Sequence, residues 1–109
     1  LIPCYNHGKT VPELLDRLDR LSYPVLIVDD GSDSKTVSIL EKEARREFVE
    51  LVTLPENNGK GAAVMAGFRK AAARSFSHVI QVDADGQHDL DSLPELMTLS
   101  RKYPADLIS

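Results

Sequence analysis

The chain has 109 residues, 42% of them hydrophobic, enough apolar material for one domain with its own core. Thirteen Lys and Arg face seventeen Asp and Glu, a formal net charge of −4, with no basic block of the kind that tracks nucleic-acid phosphates, so no DNA or RNA partner is expected. The longest apolar runs fall far short of the roughly 20 residues that span a bilayer, and no charged segment, apolar stretch and cleavage site form a signal peptide, so no membrane span is expected within the chain.

Residues 1–5 read as the end of a first strand, followed by a loop at Asn6-His7-Gly8-Lys9. Thr10 followed by Glu13 has the spacing of a capping box, and Val11, Leu14, Leu15, Leu18 and Leu21 recur at helical intervals. Tyr23-Pro24 ends that helix. The run Val25-Leu26-Ile27-Val28, bounded by Asp29-Asp30-Gly31-Ser32, predicts a fully buried second strand. Asp33 or Ser34 then caps a helix that buries Val37, Leu40, Ala44 and Phe48 and leaves Glu41, Lys42, Glu43, Arg45 and Arg46 largely to water. Residues 49–54 alternate loosely as a third strand, residues 55–61 form the loop after it, and an Ala-rich helix from Ala62 to about Ser75 carries Val64, Phe68, Ala71 and Ala72 on one face.

A fourth strand over 79–82 runs into Asp83-Ala84-Asp85-Gly86-Gln87-His88-Asp89. Asp91 or Ser92 starts a fourth helix with Leu93, Leu96 and Met97, Pro104 ends it, and residues 105–108 enter a fifth strand. Five strands alternating with four helices predict a three-layer α/β/α, Rossmann-like, mostly parallel sheet. Such sheets bind ligands beyond the carboxyl ends of their strands. That rule gathers residues 3–9, 29–32, 57–61 and 83–89 on one rim.

Each rim segment has a chemical and a plain structural reading. Asp83 and Asp85 leave a strand end on the same side, since side-chain direction repeats every two residues, and two converging carboxylates suit Mg2+ or Mn2+ and, through it, a diphosphate. The plain alternative is a solvated acidic turn. Gln87 is a candidate for contact two residues beyond Asp85. Asp30 is placed to accept from a base N–H or a ribose hydroxyl; alternatively Asp30 or Ser32 caps the following turn or helix. Asn57-Asn58-Gly59-Lys60-Gly61 offers backbone amides at a helix start and one cation for a phosphate, or is a plain glycine loop. Tyr5 is a half-buried aromatic or a stacking face for a base.

Several familiar motifs are ruled out. Leu54 and Gly61 occupy positions where a P-loop needs Gly and Ser or Thr, and no G-x-G-x-x-G follows the first strand. His88 and Pro94 occupy the obligatory glycine and glutamate positions of a calcium loop. His78 sits at the wrong end of its strand for the rim.

Taken together, Ile2-Pro3-Cys4-Tyr5-Asn6, Val28-Asp29-Asp30-Gly31-Ser32, Asn58-Gly59-Lys60-Gly61 and Asp83-Ala84-Asp85 resemble, in this order, the four motifs of the family 2 glycosyltransferases of the GT-A nucleotide-diphosphosugar transferase fold. Asp85-Gly86-Gln87-His88 is similar to the polyprenyl-phosphate sugar synthase branch. The resemblance implies that residues 1–109 are the N-terminal, donor-binding portion of a GT-A domain. It implies a nucleotide pocket of Pro3, Tyr5, His7, Asp30, Gly59, Lys60 and Asp83, and Mg2+ or Mn2+ held by Asp83, Asp85 and Gln87. His7 departs from the glutamate often found there in the family. The implied reaction is inverting transfer of a sugar from a nucleotide-diphosphate donor to a polyprenyl phosphate or glycan.

Both ends read as cuts through structure, so a longer protein is expected, with the general base beyond Ser109 and little or no transferase activity in residues 1–109 alone. A lone Cys4 cannot make an intrachain disulfide, which fits a reducing, cytoplasmic setting, at the membrane face if other parts of the protein reach it. Two rivals remain at this point. Asp83-Ala84-Asp85-Gly86 also satisfies the D-x-D-G of haloacid dehalogenase-type phosphohydrolases, although Gln87 stands where Thr usually follows. The other rival is a nucleotide-binding module without catalysis.

Overall fold

The structure, a computed structural model, describes residues 1–6, 8–76 and 78–84. His7, the fourth helix, the fifth strand, Asp85 and Gln87 lie outside the described residues. Within them, the elements run β1 (Ile2–Cys4), a single 3-10 turn (Gly8–Thr10), α1 (Val11–Asp19), β2 (Val25–Asp30), α2 (Ser34–Glu43), β3 (Val49–Leu54) and α3 (Lys60–Ala73). The three strands are parallel in the order β1-β2-β3, with Ile2 opposite Ile27 and Ile27 opposite Leu51.

Residues 79–82 do not form the continuous strand that the sequence predicts; the described chain has a single bridge at Ile80. Leu1 N donates to Ile80 O (2.9 Å) and Val82 N donates to Leu1 O (2.9 Å). One residue bonded to two that flank its opposite number is the pattern of a parallel ladder. The segment therefore lies on the edge of β1 away from β2, and the spatial order is β3, β2, β1, then 80–82. The chain moves outward from β1 to β3 and returns to the other side of β1, which makes the gap between β1 and residues 80–84 the switch point of the sheet.

Period-two alternation sorts the strand side chains onto two faces. On one face Ile2, Cys4, Val25, Ile27 and Val49 pack with Val11, Leu14, Leu15 and Leu18 of α1 and Leu40 of α2, and Val82 and Ala84 join that core. On the other face lies α3, against β1 and β2. Its buried stripe is Ala63, Gly67 and Ala71; of the expected Val64, Phe68, Ala71 and Ala72, Ala71 is buried, Val64 and Phe68 are half-buried and Ala72 is exposed. Residues four apart in a helix share a face, and choosing the smallest side chains lets the backbone approach closely. At Gly67 a Cβ would stand 2.3 Å from Cδ1 of Leu1.

Other local expectations are also corrected. Thr10 makes no side-chain cap to α1, because it sits in the preceding 3-10 turn with helical dihedrals. α2 ends at Glu43, so Ala44 and Phe48 meet the core from the segment after the helix. Glu43 is buried, not solvated, where it pairs with Arg46 (2.7 Å), which also reaches Asp16 of α1 (2.8 Å).

Of the two candidates for the α2 cap, Asp33 serves, accepting from Thr36 N at 2.8 Å. The Thr36 backbone N–H, and after it the Thr36 hydroxyl, hold the Asp33 carboxyl below its usual 3.8. A carboxyl lowered in the folded state stabilises above its unfolded value, and the benefit is lost as pH falls through the folded value. In the full-length protein, the loss of urea midpoint caused by Asp33→Ala should be constant above about pH 5 and shrink as the pH is lowered below about 4. A loss independent of pH over that window would contradict it.

Candidate functional site

The rim is built from side chains of one strand end that bond the backbone of the next. Asp29 and Asp30 are consecutive on β2 and so point to opposite faces. Asp29 is fully buried, and its Oδ1 accepts from Ser32 N (3.0 Å), closing the turn that leads into α2. Asp30, 3% exposed, turns toward α3: its Oδ1 accepts from Asn58 N (2.9 Å) and its Oδ2 from Gly59 N (2.9 Å). Neither Asp30 nor Ser32 caps α2, contrary to the plain reading of the sequence. Gly59 N is shared with Asn57 Oδ1 (2.9 Å). One buried carboxylate thus fixes the loop that starts α3.

Gly31 makes this approach possible. It has φ +71°, and a Cβ there would lie 2.4 Å from Glu56 C and Asn57 N, so the 56–57 backbone passes directly over it. The loop after β1 is tied in the same manner. Asn6, at φ 56°, donates its N–H to Ser32 Oγ (3.0 Å) and accepts from Asp33 N through Oδ1 (2.8 Å). Asn tolerates this left-handed conformation better than most residues. On the far side of the switch point, the Thr10 hydroxyl donates to Ala84 O. Lys60 Nζ reaches Asp83 Oδ1 at 2.7 Å.

These ties enclose a cleft of about 380 Å3 lined by Pro3, Cys4, Tyr5, Asp30, Asn57, Gly59, Lys60, Ala63, Asp83 and Ala84. Six of the residues singled out in the sequence, Pro3, Tyr5, Asp30, Gly59, Lys60 and Asp83, therefore meet in one place. Tyr5 is 43% exposed at its edge. His7, Asp85 and Gln87 lie outside the described residues. Of the expected metal ligands Asp83 is thus the one described, a hard oxygen donor at the cleft that suits Mg2+ or Mn2+. Among the described residues no three His, Cys, Asp or Glu side chains converge on a common point.

Sequence reasoning missed Thr10 and Ala63 as parts of this rim; Cys4, Asn6, Asp29 and Ala84 fell within its rim segments without being singled out as site residues. For Asn6 and Asp29 a signal existed. Asn directly after a strand favours a left-handed turn, and adjacent carboxylates at a strand end must diverge. For Thr10 the local signal pointed elsewhere, because its true partner is 74 positions away.

The family model for "Glycosyl transferase family 2" matches residues 1–109, the whole chain. An undecaprenyl-phosphate 4-deoxy-4-formamido-L-arabinose transferase of Pseudomonas fluorescens is 36% identical over 105 residues, covering 89% of this chain and 30% of that protein. An undecaprenyl-phosphate mannosyltransferase of Micrococcus luteus is 35% identical over 112 residues, covering 99% of this chain and 45% of that protein. The chain therefore spans less than half the length of either relative. Among solved structures, S. aureus TarS 1-349 matches with a TM-score of 0.64 and 26% identity over 93% of this chain and 31% of that one. The α/β architecture expected from the sequence, that of the GT-A fold, is the one observed. The phosphohydrolase reading is set aside by these matches.

The double acceptance by Asp30 has a measurable consequence. Asp30→Asn replaces one acceptor oxygen with an NH2 that confronts an amide N–H, and leaving a buried donor unmatched costs roughly 1–3 kcal/mol. The full-length variant should unfold at correspondingly lower urea, with faster hydrogen exchange at the Asn58 and Gly59 amides. Unchanged protection of both amides would show that the loop is held by something else.

Proposed function

Because this chain belongs to glycosyl transferase family 2, we propose that residues 1–109 form the nucleotide-sugar-binding portion of an enzyme that moves a sugar from a nucleotide-diphosphate donor to an acceptor, with inversion. The observation that carries this reading is the meeting of Pro3, Tyr5, Asp30, Gly59, Lys60 and Asp83 at the switch point of a parallel sheet. A diphosphate-linked nucleoside needs a flat apolar surface, fixed hydrogen-bond acceptors and concentrated positive charge, and the cleft supplies each from a different rim segment.

Tyr5 offers a ring face to the base, Pro3 lines the same cleft, and His7 would add a nucleoside contact. Asp30 holds the Asn58–Gly59 loop with one lone pair of each oxygen and keeps the others for a base N–H or a ribose hydroxyl. The start of α3 directs backbone amides and the Lys60 ammonium toward the phosphates, where charge grows as the sugar leaves. Asp83, with Asp85 and Gln87, would hold Mg2+ or Mn2+, which neutralises the departing diphosphate as a Lewis acid. A polyprenyl phosphate is the acceptor we favour over a glycan, since two relatives are undecaprenyl-phosphate transferases by name. No helix among the described residues is long and apolar enough to cross a membrane. The proposed site of action is the cytoplasmic face of a membrane, reached through other parts of the protein.

Calorimetric titration of the full-length protein with UDP and GDP, with and without Mn2+, tests this reading. One nucleotide should bind more tightly with the metal, by roughly tenfold or about 1.4 kcal/mol, and Asp85→Ala should remove that gain. Binding that ignores the metal and is unchanged in Asp85→Ala would sink the metal-diphosphate assignment.

A further inference from the structure

Lys60 stands where a cation is least welcome. It is the first residue of α3, at the positive end of the helix dipole, and the first turn carries no acidic residue to offset it. Its neutralising partner comes from 23 positions away, the Asp83 carboxylate at 2.7 Å. Both side chains line the cleft. They are 60% and 35% exposed, so the pair is wetted and weak, a contact that a ligand can exchange.

We propose that Lys60 and Asp83 each stand in for a ligand of the other. In the ligand-free protein the ammonium occupies the carboxylate that a divalent cation would take, and the carboxylate occupies the ammonium that a diphosphate would take. This rests on the donor-site reading above and adds to it a role for Lys60 as a positioning residue that couples two ligands. A divalent cation alone must part Lys60 from Asp83 and leave the ammonium at a positive helix end without that carboxylate. A diphosphate alone draws Lys60 away and must break its pair with Asp83. When both arrive, each takes up the charge that the other releases, so each raises the affinity for the other.

The test uses the full-length protein, its Lys60→Met variant and its Lys60→Arg variant. Mn2+ is titrated alone, followed by the spin-resonance signal of the free ion, and UDP and GDP are titrated at saturating Mg2+. Lys60→Met should bind Mn2+ alone roughly two- to fivefold more tightly, the worth of a lost surface ion pair. The same variant should bind the nucleotide diphosphate roughly tenfold more weakly. Lys60→Arg, which keeps the charge, should stay within about twofold of the parent for Mn2+. These opposite changes in one variant cannot come from general loosening, which weakens both ligands. If the parent binds both ligands and Lys60→Met binds Mn2+ no more tightly than the parent, the exchange is overturned while the donor site stands. If the parent binds neither Mn2+ nor a nucleotide, the donor-site reading falls and the exchange falls with it.

Discussion

The arrangement depends on one buried carboxylate. Asp30 ends β2 with 3% of its surface exposed, and it receives the amides of Asn58 and Gly59, one on each oxygen. Charge-assisted bonds of this kind are stronger than neutral ones, and burial removes water as a competitor. The bonds fix where α3 begins, and hence where Lys60 stands and which way the free amides of the first turn point. Gly31 makes the approach sterically possible, because any side chain there would collide with the backbone of residues 56–57.

The remaining rim follows the same logic at lower cost. Each strand end holds the loop of a neighbour: Asn6 bonds Ser32 and Asp33, Thr10 bonds Ala84, and Lys60 pairs with Asp83. Loops are ordinarily the mobile part of a domain. Here side chain to backbone bonds tie the loops to one another, and the Lys60–Asp83 pair adds a side chain to side chain tie across the cleft. Fold and cleft share a residue as a result: Asp30 shapes the cleft and also lines it.

Much of this was legible in the chain itself. The apolar run ending in Asp-Asp-Gly-Ser located the end of β2, and the parallel α/β rule placed it on one rim with Asp83, although residues 79–82 form a single bridge and no continuous strand. The four motifs then pointed to the family. Other features were hidden for identifiable reasons. A helix face is set by what it packs on, so α3 turns Ala63, Gly67 and Ala71 to the sheet, with Leu1 close over Gly67, whereas hydrophobicity alone favoured Val64 and Phe68. The Thr10 hydroxyl passes over the local capping partner that the sequence offers in favour of Ala84, a contact invisible without the fold. Glu43 reads as solvated in the sequence, but it is buried against Arg46, whose guanidinium Asp16 also holds.

The placement of residues 80–82 beside Leu1 has a bearing on how the molecule is made. Leu1 and Ile80 are 79 positions apart, so this pairing joins distant parts of the chain. On a ribosome β1 can join β2 early, but its pairing with residues 80–82 waits until that segment has been threaded out. An open strand edge is a template for mispairing with another nascent chain. The cleft straddles this seam, so its two walls can meet only after the segment carrying Asp83 and Ala84 has been made.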